Sequence, residues 1–173
     1  MTATVSVAAV SFPTPLEDAV RHGIRTTFSS ICGAEPVLLE GTDFPTLGPA
    51  MIGAISFVGD VAWSYSLVFP RETAVLLARQ FAGFDIAFDS PDMGDVVGEL
   101  ANVLAGDVVA NLEARRIKAQ MSLPTITRGS KLEVMVSSGA LTGLVNYVSC
   151  QGPFSVRLLA ARPVRSFVPR GNV

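Results

Sequence analysis

The hydrophobic period of this sequence passes from helical to strand-like twice along the chain, and that repeated order restricts the fold more than any single motif does. Leu16, Val20, Ile24, Phe28 and Ile31 recur on one helix face. Thr14 supplies a cap, Pro15 suits the first helical position, Glu17 completes a capping box and Gly33 provides the stop. A short strand is expected at 36–40, followed by a loop through Gly48 and Pro49. Residues 51–70 read as a hairpin with a two-residue turn at Gly59 and Asp60, which places Trp63, Tyr65, Leu67 and Phe69 on one core face. A brief helix at 72–81, closed by Gly83, leads to a second long helix that opens near Ser90, Pro91 and Asp92 and has Arg115 and Arg116 at its negative end. Four strand-like runs follow, KAQMSLPTI, KLEVMVSS, LTGLVNYVS and FSVRLLAA, with turn residues at Gly129-Ser130, Gly139 and Gly152-Pro153. Helix, strand and hairpin in 14–69 are thus weakly echoed in 91–149. The fold class is α+β: two long helices packed on a mainly antiparallel sheet, with a pseudo-two-fold internal repeat. Residues 1–173 make one domain, with 1–12 and 163–173 as loose ends.

Composition removes several classes of function. A net charge of -2 and a pI near 5.3 offer no basic field for phosphate backbones or anionic lipid, so neither nucleic acid nor a membrane is an expected partner. Mean hydropathy is high, at +0.46, but the longest uncharged run, 134–156, is broken by polar residues, Gly and Pro and alternates as strands do. The N-terminus has no basic segment or clear cleavage site, so a cytoplasmic address is expected. Cys32 and Cys150 suit that address as free, packed thiols. His22 is the only histidine, and no Cys or His cluster has zinc spacing, which argues against a serine triad or a zinc hydrolase.

The segment GDVVGELANVLAGDVVANLEARR, 94–116, is a long helix weakened from within: Gly98, Asn102 and Gly106 give up about 2.5 kcal/mol of helix propensity between them. At about 100° per residue, Asp95, Glu99, Asn102 and Gly106 share a stripe roughly 60° wide. Val97, Leu100, Leu104 and Val108 lie opposite, with Val96 and Val103 on one flank and Gly98 and Ala105 on the other. Pattern alone fits the solvated face of an amphipathic helix. The alternative is a docking face, kept low by Gly98 and Gly106 so that a partner can approach while Glu99 and Asn102 reach past them.

Asp95-x-x-x-Glu99-x-x-Asn102, set in MGDVVGELANVLAG, resembles the D/S-x-x-x-E-x-x-N signature of the CheC/CheX/FliY chemotaxis phosphatases. Pro124, in SLPTITRG, follows Asn102 with twenty-one residues between, one fewer than the family pattern. The first helix has no E-x-x-N, since Val20 stands three places after Glu17, so the resemblance is to the single-site CheX branch. It implies hydrolysis of the aspartyl phosphate of a CheY-like response-regulator receiver domain, in chemotaxis or related two-component signalling. Asn102 would orient the water and Glu99 would pair with the receiver's lysine. Asp95 would support partner contact, and Pro124 would be structural. No cofactor of the chain's own is implied, because Mg²⁺ would sit in the receiver; a homodimer joined through sheet edges is. The runner-up is a non-catalytic receiver-binding adaptor, since the same fold resembles the middle domain of flagellar switch proteins.

Overall fold

The computed structural model describes residues 12–39, 48–132, 135–136 and 139–161. In chain order its elements are α1 (Thr14–Cys32), β1 (Val37–Leu39), β2 (Pro49–Gly59), β3 (Trp63–Pro70), α2 (Arg71–Ala82), α3 (Pro91–Ala114), β4 (Ala119–Met121), β5 (Thr125–Ser130), β6 (Leu141–Ser149) and β7 (Gly152–Ala160). The strands form one seven-stranded sheet in the order β1-β6-β7-β3-β2, with β4 and β5 pairing successive stretches of β2 on its far side. Every strand pair is antiparallel. A repeat is visible in this order, but its second hairpin is β6–β7 and ends at Ala160, not at 149 as expected, because the described residues of KLEVMVSS form no strand. Hairpins β2–β3 and β6–β7 meet at the central β3·β7 pair; β1 of the first half crosses to border β6, and β4 and β5 of the second half cross to border β2.

The alternation along β3 seats Trp63, Tyr65, Leu67 and Phe69 in the core. On β7, Phe154, Val156 and Leu158 join them. Phe154 stacks on Phe28 of α1 at 4.5 Å between ring centroids. Two glycines let the helices come close. A Cβ on Gly53 of β2 would lie 3.2 Å from a Val97 methyl carbon, and one on Gly23 of α1 would lie 2.9 Å from Leu104. So α3 lies against both the sheet and α1, which makes it a firm platform. Tyr65 strengthens the seat by donating its hydroxyl to the Ala101 carbonyl at 2.5 Å, and burial pushes that hydroxyl's pKa far above the usual tyrosine range.

Gly33 and Gly83 stop α1 and α2 as expected, at φ 72° and 81°, the left-handed region in which glycine carries no Cβ penalty. Several other local expectations are corrected. The N-cap of α1 is Pro13, not Thr14, and Glu17 binds Arg21 instead of closing a capping box. The β2–β3 turn is not the two-residue Gly59-Asp60: Phe57 pairs with Trp63, leaving residues 58–62 between. β4 is the reason, because Gly59 pairs with Ala119 and Asp60 accepts a bond from the Lys118 amide. A Cβ on Gly59 would collide with the Lys118 carbonyl oxygen.

KAQMSLPTI is not one strand but all of β4 and the start of β5, divided at 122–124, and Gly129-Ser130 lies inside β5. The described residues of KLEVMVSS are not in a strand; 133, 134, 137 and 138 lie outside the described set. The β6–β7 turn is Cys150-Gln151, because Gly152 already pairs with Ser149. β6 and β7, which hold most of the uncharged run 134–156, are interior strands of the sheet. Cys150 is exposed rather than packed, while partial burial pushes the Cys32 thiol up to about 11. Phe12 belongs to the core, edge-on to Trp63. Residues 1–11, Glu40 and the expected loose end at 163–173 lie outside the described residues. No helix among the described residues is long and apolar enough to cross a membrane.

Candidate functional site

The candidate site stands on α3, whose two ends are fixed by different means. Pro91 occupies the first turn, where a missing amide hydrogen costs nothing, and Asp92 complements the helix dipole there. Ser90 has the extended backbone of an N-cap but makes no side-chain cap bond. Arg128 of β5 donates to the Phe88 and Ser90 carbonyls at 3.0 and 2.9 Å, which ties the helix entrance to the sheet. At the far end, Arg115 reaches Asp18 of α1 at 3.4 Å. Midway, Asp107 accepts a bond from Thr27 of α1 at 3.0 Å.

Val97, Leu100, Ala101, Leu104, Ala105, Val108 and Leu112 are buried, so the helix cannot rotate without opening the core. Asp95, Glu99 and Gly106 are exposed and Asn102 is half-buried, on the stripe that the helical period assigns them. Glu99 and Asn102 are one turn apart, with a rise of about 4.5 Å between their Cα atoms. Among the described residues, neither side chain has a hydrogen bond or ion pair. The stripe thus presents a carboxylate with four lone-pair sites and an amide with two donors and an acceptor, all available to another molecule. Asp95, the first residue of the motif, likewise lies open on the stripe one turn before Glu99.

Gly98 is not on the open surface. It is buried, and a Cβ there would meet Pro124 and Ile126 at 3.7 Å. The neighbour it admits is the chain's own β4–β5 connector. A Cβ on Gly106, by contrast, would meet nothing within 4 Å, and this glycine does keep the outer face low. The expectation of an open surface is therefore wrong for Gly98, while the space beside Gly106 is open. A helical wheel could not separate them, because the element covering Gly98 comes from more than twenty residues further along the chain.

The connector adds residues that sequence pattern did not single out. Leu123 is 86% exposed and Met121 39% exposed, beside Pro124. On the opposite shoulder of the stripe, Val103 is 39% exposed. The only advance sign was the SLPT segment itself, which carries no period to say which way Leu123 points.

A single antiparallel sheet backed by helices, α3 the longest of them, is the fold of the CheC/CheX-like proteins. The fold is similar to that of a CheC-like superfamily protein from Shewanella sp. PV-4, with a TM-score of 0.75 and 16% identity over 86% of this chain and 99% of that one. It is also similar to a chemotaxis protein CheX from Desulfovibrio desulfuricans, at 0.69 and 19% over 84% and 96%. A chain of the CheX-CheY-BeF3-Mg²⁺ complex from Borrelia burgdorferi gives 0.64 and 18% over 86% and 96%. No curated protein matches the sequence significantly. The family of the chemotaxis phosphatase CheX matches residues 51–145, more than half of the chain, and the protein belongs to that family.

Proposed function

We propose that this chain is a phosphatase acting on the aspartyl phosphate of a CheY-like receiver domain. The observation that carries the reading is the pair Glu99 and Asn102, outward on one stripe of a fixed helix and left without partners among the described residues. Membership of the CheX family supports it, as does a fold shared with a complex of CheX and CheY holding BeF3 and Mg²⁺.

The chemistry follows from what an amide can do. Hydrolysis of an acyl phosphate needs a water in line with the P–O bond to the aspartyl carboxylate. The water oxygen bonds to phosphorus, the electron pair of the broken bond returns to the carboxylate, and inorganic phosphate leaves. Asn102 accepts a hydrogen bond from that water and holds it without changing its own protonation state. Glu99 pairs with the lysine of the receiver's phosphorylation pocket, which fixes the pose. Mg²⁺ belongs to the receiver, where it offsets charge on the phosphoryl oxygens. Asp95 extends the contact along the helix.

The test is the decay of a phosphorylated receiver domain from the same organism, followed with and without the protein. Acceleration at substoichiometric protein is expected. Tight binding of a BeF3-loaded receiver with no acceleration of decay would instead make the chain an adaptor. We further propose a homodimer through the sheet edge, where Val37 of β1 is 66% exposed; sedimentation equilibrium giving a mass of one chain would exclude it.

A further inference from the structure

Leu123 is an apolar side chain that the described residues leave 86% exposed while hydrogen bonds anchor the backbone beside it. The Ser122 amide donates to the Ser56 carbonyl at 2.8 Å, the Ser56 amide donates to the Ser122 hydroxyl at 3.1 Å, and that hydroxyl donates to the Leu123 carbonyl at 2.8 Å. On the other side, Pro124 packs over Gly98. A leucine on a slack loop can fold back onto the surface, but residue 123 is pinned from both sides.

Its position matters because Gly98 is the neighbour of Glu99 in sequence and lies about 40° around α3 from Asn102. The connector therefore forms one shoulder of the polar stripe. Met121 reinforces that shoulder: it pairs directly with Phe57, whose side chain enters the core, so Met121 projects to the helix side of the sheet. Val103, about 40° from Glu99, forms the opposite shoulder. A carboxylate and an amide flanked by fixed apolar side chains make a surface with a polar centre and an apolar margin.

We infer that Leu123, with Met121 and Val103, is the apolar contact that seats the receiver domain over Glu99 and Asn102; this rests on the function proposed above. The division of labour is physical. Polar groups at the centre exchange hydrogen bonds with water for hydrogen bonds with the partner and add little net affinity, whereas covering a leucine removes apolar area from water. Leu123 accordingly sets how tightly the phosphorylated receiver is held, and Asn102 sets how fast the held phosphate is hydrolysed. Leu123 is a positioning residue for docking and does not touch the reacting atoms.

The experiment uses the full chain and a phosphorylated receiver that it dephosphorylates, with KM and kcat measured separately. Leu123→Ala is expected to raise KM by about tenfold and Leu123→Asp by more, with kcat within about twofold and Leu123→Met close to wild type. Melting temperature should be unchanged, because the side chain is already in water. An unaltered KM in Leu123→Asp overturns this inference while leaving the proposed function in place. A fall in kcat at constant KM also overturns it. If Asn102→Ala turns over the receiver as fast as wild type, or no receiver of the organism is turned over at all, the proposed function falls and the inference falls with it.

Discussion

The two long helices bury similar apolar faces, but they treat their outer polar groups in opposite ways. On α1, Glu17 takes two bonds from Arg21 at 3.0 and 2.6 Å. Arg25 grips Glu35 through two bonds at 2.9 and 3.1 Å, and Asp18 meets Arg115. On α3, Asp95, Glu99 and Asn102 stand on the outer stripe with no such partner among the described residues. Pairs of the kind found on α1 each add only a few tenths of a kcal/mol to a helix, so α3 forgoes little stability by leaving its groups bare. What it keeps is bonding capacity.

The largest expected effect lies on the bare helix. Asn102→Ala should slow receiver dephosphorylation by about a hundredfold, the loss associated with a misplaced reactant, while urea denaturation shows stability within about 0.5 kcal/mol of wild type. Glu99→Ala should lower kcat/KM by about tenfold or more, because it leaves the receiver's docked lysine without its charge-assisted bond. Full activity in both variants would erase the contrast between the helices.

Next come the two glycines, which divide in the same spirit. Gly98→Ala and Gly106→Ala should each raise stability by up to about 1 kcal/mol, because one added Cβ makes ordinary contacts at 3.7 Å and the other meets nothing. Receiver binding should weaken only for Gly106→Ala, measured by titration with the BeF3-loaded receiver. The smallest effect belongs to α1. Hydrogen bonds donated by Arg25 of α1 hold the Glu35 carboxyl below the usual range. The sign is that of a carboxylate with a lowered folded-state pKa: the contribution is present above the unfolded value near 4.5 and is lost as pH falls through the lower folded value. Arg25→Ala should return Glu35 to an ordinary titration by NMR, with no change in phosphatase activity.

These contrasts also mark what the sequence could disclose. The periods of 14–31 and of the long helix were sufficient to place both helices, and angular arithmetic was sufficient to put Glu99 and Asn102 outward, because a helix fixes the relative directions of its own side chains. Features made by distant segments were not legible. Gly98 defeats the helical wheel because Pro124 and Ile126 arrive from β5 and the connector before it. The Gly59-Asp60 turn failed because β4 claims Gly59. The run KLEVMVSS has strand composition, yet its described residues find no strand partner. Nor could a linear pattern reveal that Ser122 is stitched to Ser56, which is what leaves Leu123 standing in water.

The crossed pairing of the halves has a consequence for how the molecule comes into being. β3 has β2 on one side and β7 on the other, and β7 follows every other strand of the described sheet in chain order. Until Gly152–Ala160 has been synthesised, the first hairpin holds an open row of amide and carbonyl groups, and until Leu141–Ser149 has emerged β1 has no β6 to lie against. Sheets closed by such remote contacts form slowly and expose sticky edges while they wait. The described sheet therefore cannot close around the nascent chain until Gly152–Ala160 has left the ribosome.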